Sequence, residues 1–338
     1  MAIHRWLGKK ELQLINEFQF NRKHIDGYIR AELFEGTENI LPEVQQGVEL
    51  LTNWMQGEYY DSKAVRIHHL KQLDLESLVK ELFVGVCYVQ HETPFVNVVG
   101  QLASRIGFDD KRDSIQTVAE ILAVLCETDI FNINKPHPKA SLYIQSNIQF
   151  DEKLTNFINF SCYLPPLVYK PRKLTHNRST AYYTHESDSV ILGGGHNHHD
   201  GDVCLDVLNS RNSVPLSLDV EFLCTVEEEP TFDLNKVSDE TIEKYERRGY
   251  PLTDWEKADL VRQQKTNWLR YKEQSYYFYS LMVNQGNHFY LSNKYDKRGR
   301  LYSQGYHINA QGTAFKKAAL NLADKELVSG VPDKFKRK

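Results

Sequence analysis

The 338-residue chain has no run of about 18 apolar residues, so no segment reads as a membrane-spanning helix. The opening Met1-Ala2-Ile3-His4-Arg5-Trp6 lacks the apolar stretch and small-residue cleavage site of a secretory signal. Five cysteines (Cys87, Cys126, Cys162, Cys204, Cys224) form no C-x-x-C pair. An odd, scattered set of this kind argues against a disulfide framework or a zinc ribbon and suits free thiols in a reducing compartment. No internal repeat or low-complexity tract is present. What remains is ordinary globular material, 41% hydrophobic and 25% charged, with a somewhat rich 12% of aromatics. The length exceeds what one simple core supports and implies two or three domains.

The net charge of −4 hides an asymmetry. Residues 286 to 338 hold 11 Lys and Arg against 4 Asp and Glu, a net +7 that leaves −11 on the rest. A basic module on an acidic body suits a polyanionic partner.

The patterning predicts a mainly α protein with short β elements, an α+β fold. Residues 1–135 read as a helical N-terminal domain. In it Asp113 with Gln116 has the spacing of a capping box before the stripe Val118, Ile121, Leu122 and Leu125, and Thr93-Pro94 opens a helix over Phe95 to Ile106. Residues 136–203 carry Pro136, Pro138, Pro165, Pro166 and Pro171, which forbid a long helix and mark a Pro/Gly-rich linking region with short strands. Residues 204–285 form the next domain. It is expected to hold a helix over about Val203 to Glu227 interrupted near Pro215, a short helix opened by Ser238, and a long helix from Asp254 to about Asn284 behind the capping box Thr253/Glu256. The long helix and the one before it are expected to pair as an antiparallel hairpin. Residues 286–338 form the basic module, with two short strands around a basic turn and a closing helix over Thr313 to Leu327.

The stretch Tyr295-Asp296-Lys297-Arg298-Gly299-Arg300-Leu301-Tyr302, followed by Asn309-Ala310-Gln311-Gly312, resembles the Asp/Thr-x-x-Gly-Arg block of single-subunit phage and mitochondrial RNA polymerases. The family pattern is Asp-x-Arg-Gly-Arg-x-Tyr, then Asn-Pro-Gln-Gly and a Leu-rich helix. This chain departs by Ala310 for Pro and by one extra residue between the blocks. Ala318 to Ala323 continues the likeness, Leu252-Thr253-Asp254-Trp255 with the helix to Asn284 is similar to the second thumb helix, and Leu208-Asn209-Ser210 to the first. Leu164 to Val168 with Pro171 resembles the proline-rich strand entering the thumb.

The resemblance implies a helical N-terminal domain, a helical-hairpin thumb over 204–285 and the beginning of a polymerase palm over 286–338. The palm's catalytic Asp residues and the fingers helix do not follow. The chain is therefore similar to the first, non-palm subunit of a split heterodimeric phage RNA polymerase, and Asp324 to Lys338 to the ending of such a subunit. The implied activity is DNA-directed RNA synthesis, a nucleotidyl transfer in transcription of phage genes, performed with a second subunit carrying palm and fingers. No catalytic residue, metal or cofactor is expected in this chain. Mg²⁺ is expected in the partner subunit, where paired carboxylates hold the two ions of the family mechanism.

The implied partners are that subunit, template DNA, nascent RNA and, through the partner, nucleoside triphosphates, with no membrane, in the cytoplasm of an infected bacterial host. Template and hybrid contacts fall to Asp296, Arg298, Gly299, Arg300, Tyr302, Asn309, Gln311, Gly312, Lys316 and Lys317. Arg298 and Arg300 flank a glycine that lets the backbone come close, Asp296 is placed to orient one of them by a bidentate pair, and Lys316 and Lys317 suit phosphate.

Two competing readings come from other classes. Gly193 to Asp202 contains His196, His198 and Asp200 in a His-x-His-x-Asp pattern, which fits a metal-dependent hydrolase, although Gly201 stands where the dinuclear motif continues with His. A DNA-binding regulator without a polymerase partner would need only the basic module. Tyr276-Tyr277-Phe278-Tyr279 offers rings for base stacking, but four successive helical residues point all round, so at least two belong to the core. His68-His69, Lys9-Lys10 and Arg247-Arg248 read as solvated helix surface.

Overall fold

A computed structural model describes residues 7–36, 39–136, 141–161, 164–184, 186, 187, 189–325 and 330. The described chain is mainly helical with short strands. Its helices and strands up to residue 161 are α1 (Lys9–Phe20), α2 (Arg22–Glu35), α3 (Leu41–Trp54), α4 (Asp61–Leu70), α5 (Leu75–Cys87), β1 (Thr93–Pro94), α6 (Phe95–Leu102), α7 (Lys111–Leu125), β2 (Phe131–Asn134), β3 (Tyr143–Ser146) and α8 (Glu152–Phe160). Then come α9 (Leu205–Asn212), β4 (Leu216–Leu218), α10 (Val220–Thr225), α11 (Asp239–Arg247), α12 (Asp254–Asn284), β5 (Asn293–Tyr295), β6 (Leu301–Ser303), α13 (Ala314–Ala318) and β7 (Leu320–Leu322). They divide into two units, residues 22–161 and residues 1–21 with 162–338. No helix of the described residues is long and apolar enough to cross a membrane.

The unit 22–161 is built on α5. Asp74 starts that helix by accepting the backbone N–H groups of Glu76 and Ser77, and Leu78, Val79 and every residue from Leu82 to Cys87 is buried. The second half of the helix is apolar and lies inside, where α2, α3 and α6 pack on it, and α7 packs in turn on α3 and α6 to complete one core that includes Leu51, Leu102, Ile121 and Leu122. Burial pushes the Cys87 thiol up to about 12, so it behaves as core and not as a nucleophile. The antiparallel sheet β1-β3-β2 closes the unit. Two caps differ from the sequence reading. Asp110, not Asp113, caps α7 by accepting the Asp113 N–H, so the helix starts a turn earlier. Pro94 lies at the cap of α6 after pairing as β1 with β3, not inside the first turn.

The other unit gathers α1 with the chain from 164 onward. Leu12, Val168, Leu218, Tyr279, Met282, Phe289, Leu291 and Ile308 form its principal core, and Leu174, Val190, Ile191 and Leu208 a second cluster. The capping box at Thr253/Glu256 and the bounds of α12 follow the sequence reading. At 1.5 Å per residue α12 is about 45 Å long, and its buried residues all lie in the last third, at Ser275, Phe278, Tyr279 and Met282.

Several expectations are corrected here. The stretch expected as an interrupted helix over 203–227 is α9, then β4, then α10, because Pro215 and the β4–β7 pairing divide it. The segments packed against α12 include α1, whose Phe20 meets Phe278, and the acidic connection after α10, rather than a long helix just before it in the chain. Glu228 accepts the Tyr271 hydroxyl at 3.0 Å, and Glu227 pairs with Lys272 at 3.1 Å. The closing helix is only α13. Leu320–Leu322 leave it to pair antiparallel with Leu216–Leu218, while 326–329 and 331–338, and with them most of the Asp324–Lys338 ending, lie outside the described residues. Among its described residues the region 136–203 holds the strand β3, the helix α8 and a single 3-10 turn at Gly194–His196, and its part up to 161 belongs with the first unit. Conversely α1, read as N-terminal domain, belongs with the second.

Candidate nucleic-acid interface

The basic turn sits on a hairpin. β5 and β6 pair antiparallel with Tyr295 opposite Leu301, and the chain reverses between them. Asp296 N–H donates to Arg300 O at 2.8 Å, Gly299 N–H donates to Asp296 O at 2.9 Å, and Gly299 takes φ +78°, a conformation open to glycine at little cost.

One carboxylate organises this turn. Asp296 Oδ1 accepts the backbone N–H groups of Arg298 and Arg300, both at 2.9 Å. Its Oδ2 accepts Arg300 Nε at 2.8 Å and Nη2 at 2.7 Å and lies 3.6 Å from Arg298 Nε. The expected orientation of an arginine by Asp296 is present with a different geometry. Arg300 places two donors on one oxygen, because the other is filled by backbone. Partial burial works to raise the Asp296 pKa, but the hydrogen bonds from Arg300 and Arg298 and the Arg300 charge outweigh it and hold it at about 2. The same pairing raises the Arg300 pKa. Both guanidiniums remain presented to solvent, with side chains 67% and 53% exposed at Arg298 and Arg300. Tyr302 lies under Arg300, 5.7 Å from ring centroid to Cζ.

The Asn309–Gly312 block is spent on holding the hairpin. Gln311 Oε1 accepts Ser303 N–H at 2.8 Å and its Nε2 donates to Leu301 O at 3.0 Å, so the amide pairs with β6 as a strand would. Asn309 Oδ1 accepts Gln311 N–H at 2.7 Å while its Nδ2 donates to Gly305 O. Gly305 has no room for a side chain, since a Cβ there would stand 1.8 Å from Ile308 O. Asn309, Gln311 and Gly312 thus shape the site rather than offer free amides to a ligand.

The two lysines divide. Lys317 is exposed on α13, which Thr313 caps. Lys316 turns inward, donates to Tyr306 O and lies 5.1 Å from the ring centroids of both Tyr271 and Tyr306. Burial lowers its pKa, against the pull of Glu228.

Beside it His307 is buried, stacked on Phe278 at 5.1 Å and on Tyr271 at 5.7 Å, with Nδ1 2.8 Å from Ser275 Oγ. Burial and then the Lys316 charge lower its pKa to about 4, so it is neutral near pH 7. Nothing in the sequence marks His307, Glu228 or Tyr271, because 43 positions separate even Glu228 from its partner Tyr271. Of the four-aromatic run, Phe278 and Tyr279 are core, while Tyr277 is 40% exposed.

In the glycine-rich loop, His198 is engaged through both ring nitrogens, 3.0 Å from Ser189 Oγ and 3.0 Å from Asp200 Oδ1. The His196 side chain lies outside the described residues. Among the described residues no group of three or more His, Cys, Asp or Glu could hold a metal ion. Of the basic pairs read as surface, Lys9 is exposed and in addition donates to the carbonyl of Gln285.

No protein-family model matches the sequence, and no curated protein matches it. What the arrangement offers chemically is a rigid turn carrying two solvent-facing guanidiniums, with an exposed ammonium on the following helix. Those are groups for phosphate and for the edges of a polyanion, with no acid/base pair among them.

Proposed function

We propose that this chain is the non-catalytic subunit of a split, phage-type DNA-directed RNA polymerase. It contacts template DNA and the RNA-DNA hybrid, while a second subunit supplies palm, fingers and the carboxylates that hold Mg²⁺. The observation that carries the reading is the Asp296-centred turn. The sequence block that resembles the polymerase motif is built so that Asp296, Gly299 and the Gln311 amide leave Arg298 and Arg300 facing outward. An A-like hybrid has phosphates and 2′-hydroxyls within reach of such guanidiniums, and a fixed turn limits the entropy lost on binding. The half of α12 that carries no buried residue suits a thumb lying along the hybrid.

The test is reconstitution. The isolated chain is expected to make no RNA with any metal. Mixed with a palm-and-fingers subunit encoded beside it, it should support extension of a preassembled RNA-DNA hybrid. RNA synthesis by the pure chain, or a folded mixture that extends no hybrid, would overturn the proposal.

A further inference from the structure

Midway along α12 one face of the helix turns to a cleft and not to a core. Gln264, Asn267, Trp268 and Tyr271 recur at helical spacing and, with the acidic connection after α10, line a cleft of about 330 Å³, at the lower end of the sizes that take small molecules. Tyr271 is committed elsewhere. Its hydroxyl donates to Glu228 with both carboxylate oxygens at 3.0 Å, its ring stacks on His307 at 5.7 Å, and the Lys316 ammonium lies 5.1 Å from its centroid. A cation is thus already supplied to this ring from within the chain.

Three other lining groups are less engaged. Trp268 is half-buried and leans on Tyr271, 5.4 Å between centroids with the planes 34° apart. Phe232, brought in by the connection, is 52% exposed and packs on no other ring among the described residues. Gln264 Oε1 is buried without a hydrogen-bond partner. A buried acceptor lacking a donor is costly and marks a place where a ligand or water completes the bond. Turning the amide over would leave a donor there without an acceptor, so a partner is needed in either orientation. Glu228 and Glu229 outnumber Lys316 in the lining, and Lys316 already donates to Tyr306 O.

We infer that this cleft takes an unpaired nucleobase, seated against the Trp268 and Phe232 rings with its polar edge on the Gln264 amide. Aromatic faces hold any base, and a glutamine amide matches an edge on which donor and acceptor stand side by side, as on adenine. The excess of carboxylate keeps phosphate out of the cleft, so the base enters and the backbone stays at the rim. A base of a single strand and the base of a free nucleotide share this chemistry. The inference does not depend on the polymerase reading, since the isolated chain can be tested without a partner.

The probes are a short oligodeoxyadenylate, an abasic strand of the same length and adenosine monophosphate, titrated at elevated salt so that phosphate contacts are screened. The wild-type chain is expected to prefer the oligodeoxyadenylate to the abasic strand by about tenfold, the worth of one stacked base. Phe232→Ala and Gln264→Leu should each remove most of that preference and leave abasic binding unchanged. Gln264→Leu should also keep or raise the melting temperature, since it takes away an unpaired buried polar group, whereas a glutamine that merely supports the fold would lower it. Phe232→Ala, made at an exposed side chain, carries the test if Gln264→Leu fails to fold. Adenosine monophosphate that binds the wild type and not the variants assigns the cleft to free nucleotides, and strand preference without it assigns the cleft to a base of a single strand. Equal affinity for the two strands together with no binding of adenosine monophosphate would overturn the inference. So would a preference for the base that survives in both folded variants, and a proline-rich peptide that loses affinity in them would then give the cleft to a polypeptide.

Discussion

Asn16 and Gln285, 269 positions apart, exchange two buried amide hydrogen bonds: Asn16 Nδ2 donates to Gln285 Oε1 at 2.8 Å, and Gln285 Nε2 donates to Asn16 Oδ1 at 2.9 Å. The pair is one knot in a polar strap along α1. Lys9 donates to the Gln285 carbonyl, and Gln13 Oε1 accepts the Val168 N–H at 2.8 Å. Glu17, fully buried, accepts the backbone N–H groups of Tyr183 and Thr184 and the hydroxyl of Thr184. A helix held by so many satisfied polar groups fixes the end of α12 to the proline-rich segment more specifically than an apolar face would.

Breaking the knot on one side should therefore be expensive. Asn16→Leu leaves both amide atoms of Gln285 buried and unpaired, at an expected cost of about 3 kcal/mol. Gln285→Leu should cost a similar amount, and the double variant clearly less than the sum. Chemical denaturation of the four proteins measures it. Additive losses would show that the reciprocal pair contributes nothing as a pair.

The hairpin makes a sharper distinction between holding and touching. Gln311→Ala should loosen β6, lower stability by about 1 kcal/mol and speed hydrogen exchange at the Ser303 amide, whose acceptor it removes. Arg298→Ala should change neither, yet weaken binding of nucleic acid. Slow exchange at Ser303 in Gln311→Ala would mean that the amide is not what fixes the turn.

How much of this was legible depends on how far apart the partners lie. The capping box at Thr253, the length of α12 and the β5–β6 turn around Gly299 rest on neighbours a few residues away, and the sequence reading matches them. The segment after α13 has a helical pattern, yet Leu320–Leu322 are a strand because Leu216–Leu218, about a hundred positions earlier, offer them a ladder. The same pairing divided the helix expected over 203–227. Asn309 and Gln311 were recognisable as a motif, but their partners on Ser303, Leu301 and Gly305 become visible only once the chain has turned back. Asn16, Glu17 and Asn212 carry no local motif, since apart from the Gln13–Glu17 bond within α1 the side-chain bonds that define them are long-range.

His307 predicts a pH dependence. Its pKa is lowered from the ordinary 6.5 to about 4 in the folded chain, so between those values the unfolded chain binds a proton that the folded chain does not. Stability should be fully present above pH 6.5, fall as the pH drops toward 4 and level off below it, by roughly 3 kcal/mol over the window from this residue. Ser275 Oγ on Nδ1 and the nearby Lys316 ammonium both stay with the neutral ring. Denaturant midpoints at three pH values, compared with His307→Gln, isolate the contribution, because the variant should lack that part of the slope. An unchanged slope in the variant would remove His307 from the account.

Arg300 joins the turn to its proposed use. Two of its donors rest on Asp296 Oδ2, and the side chain lies over Tyr302 while staying half exposed. Asp296 Oδ1 keeps its two backbone bonds when the side chain is removed, so Arg300→Ala should leave the turn formed and the melting temperature close to wild type. Its effect should appear on nucleic acid. The slope of binding against salt should fall by about one unit, as one fewer counterion is released, and extension by the reconstituted enzyme should weaken alike on every template. Arg300→Lys keeps the charge but loses the planar fork that holds Asp296 on one edge and presents donors to a phosphate on the other, so it should recover only part of the activity. Asp296→Asn tests the support from the other side: the guanidiniums keep their charge but lose the anchor, so affinity should drop with the salt slope unchanged. A purely structural Arg300 gives the opposite pattern, a lowered melting temperature with activity proportional to the folded protein that remains. Thermal unfolding, salt titration and hybrid extension on the same preparations separate the two, and an intact complex extending hybrids undiminished at elevated salt would remove Arg300 from the interface.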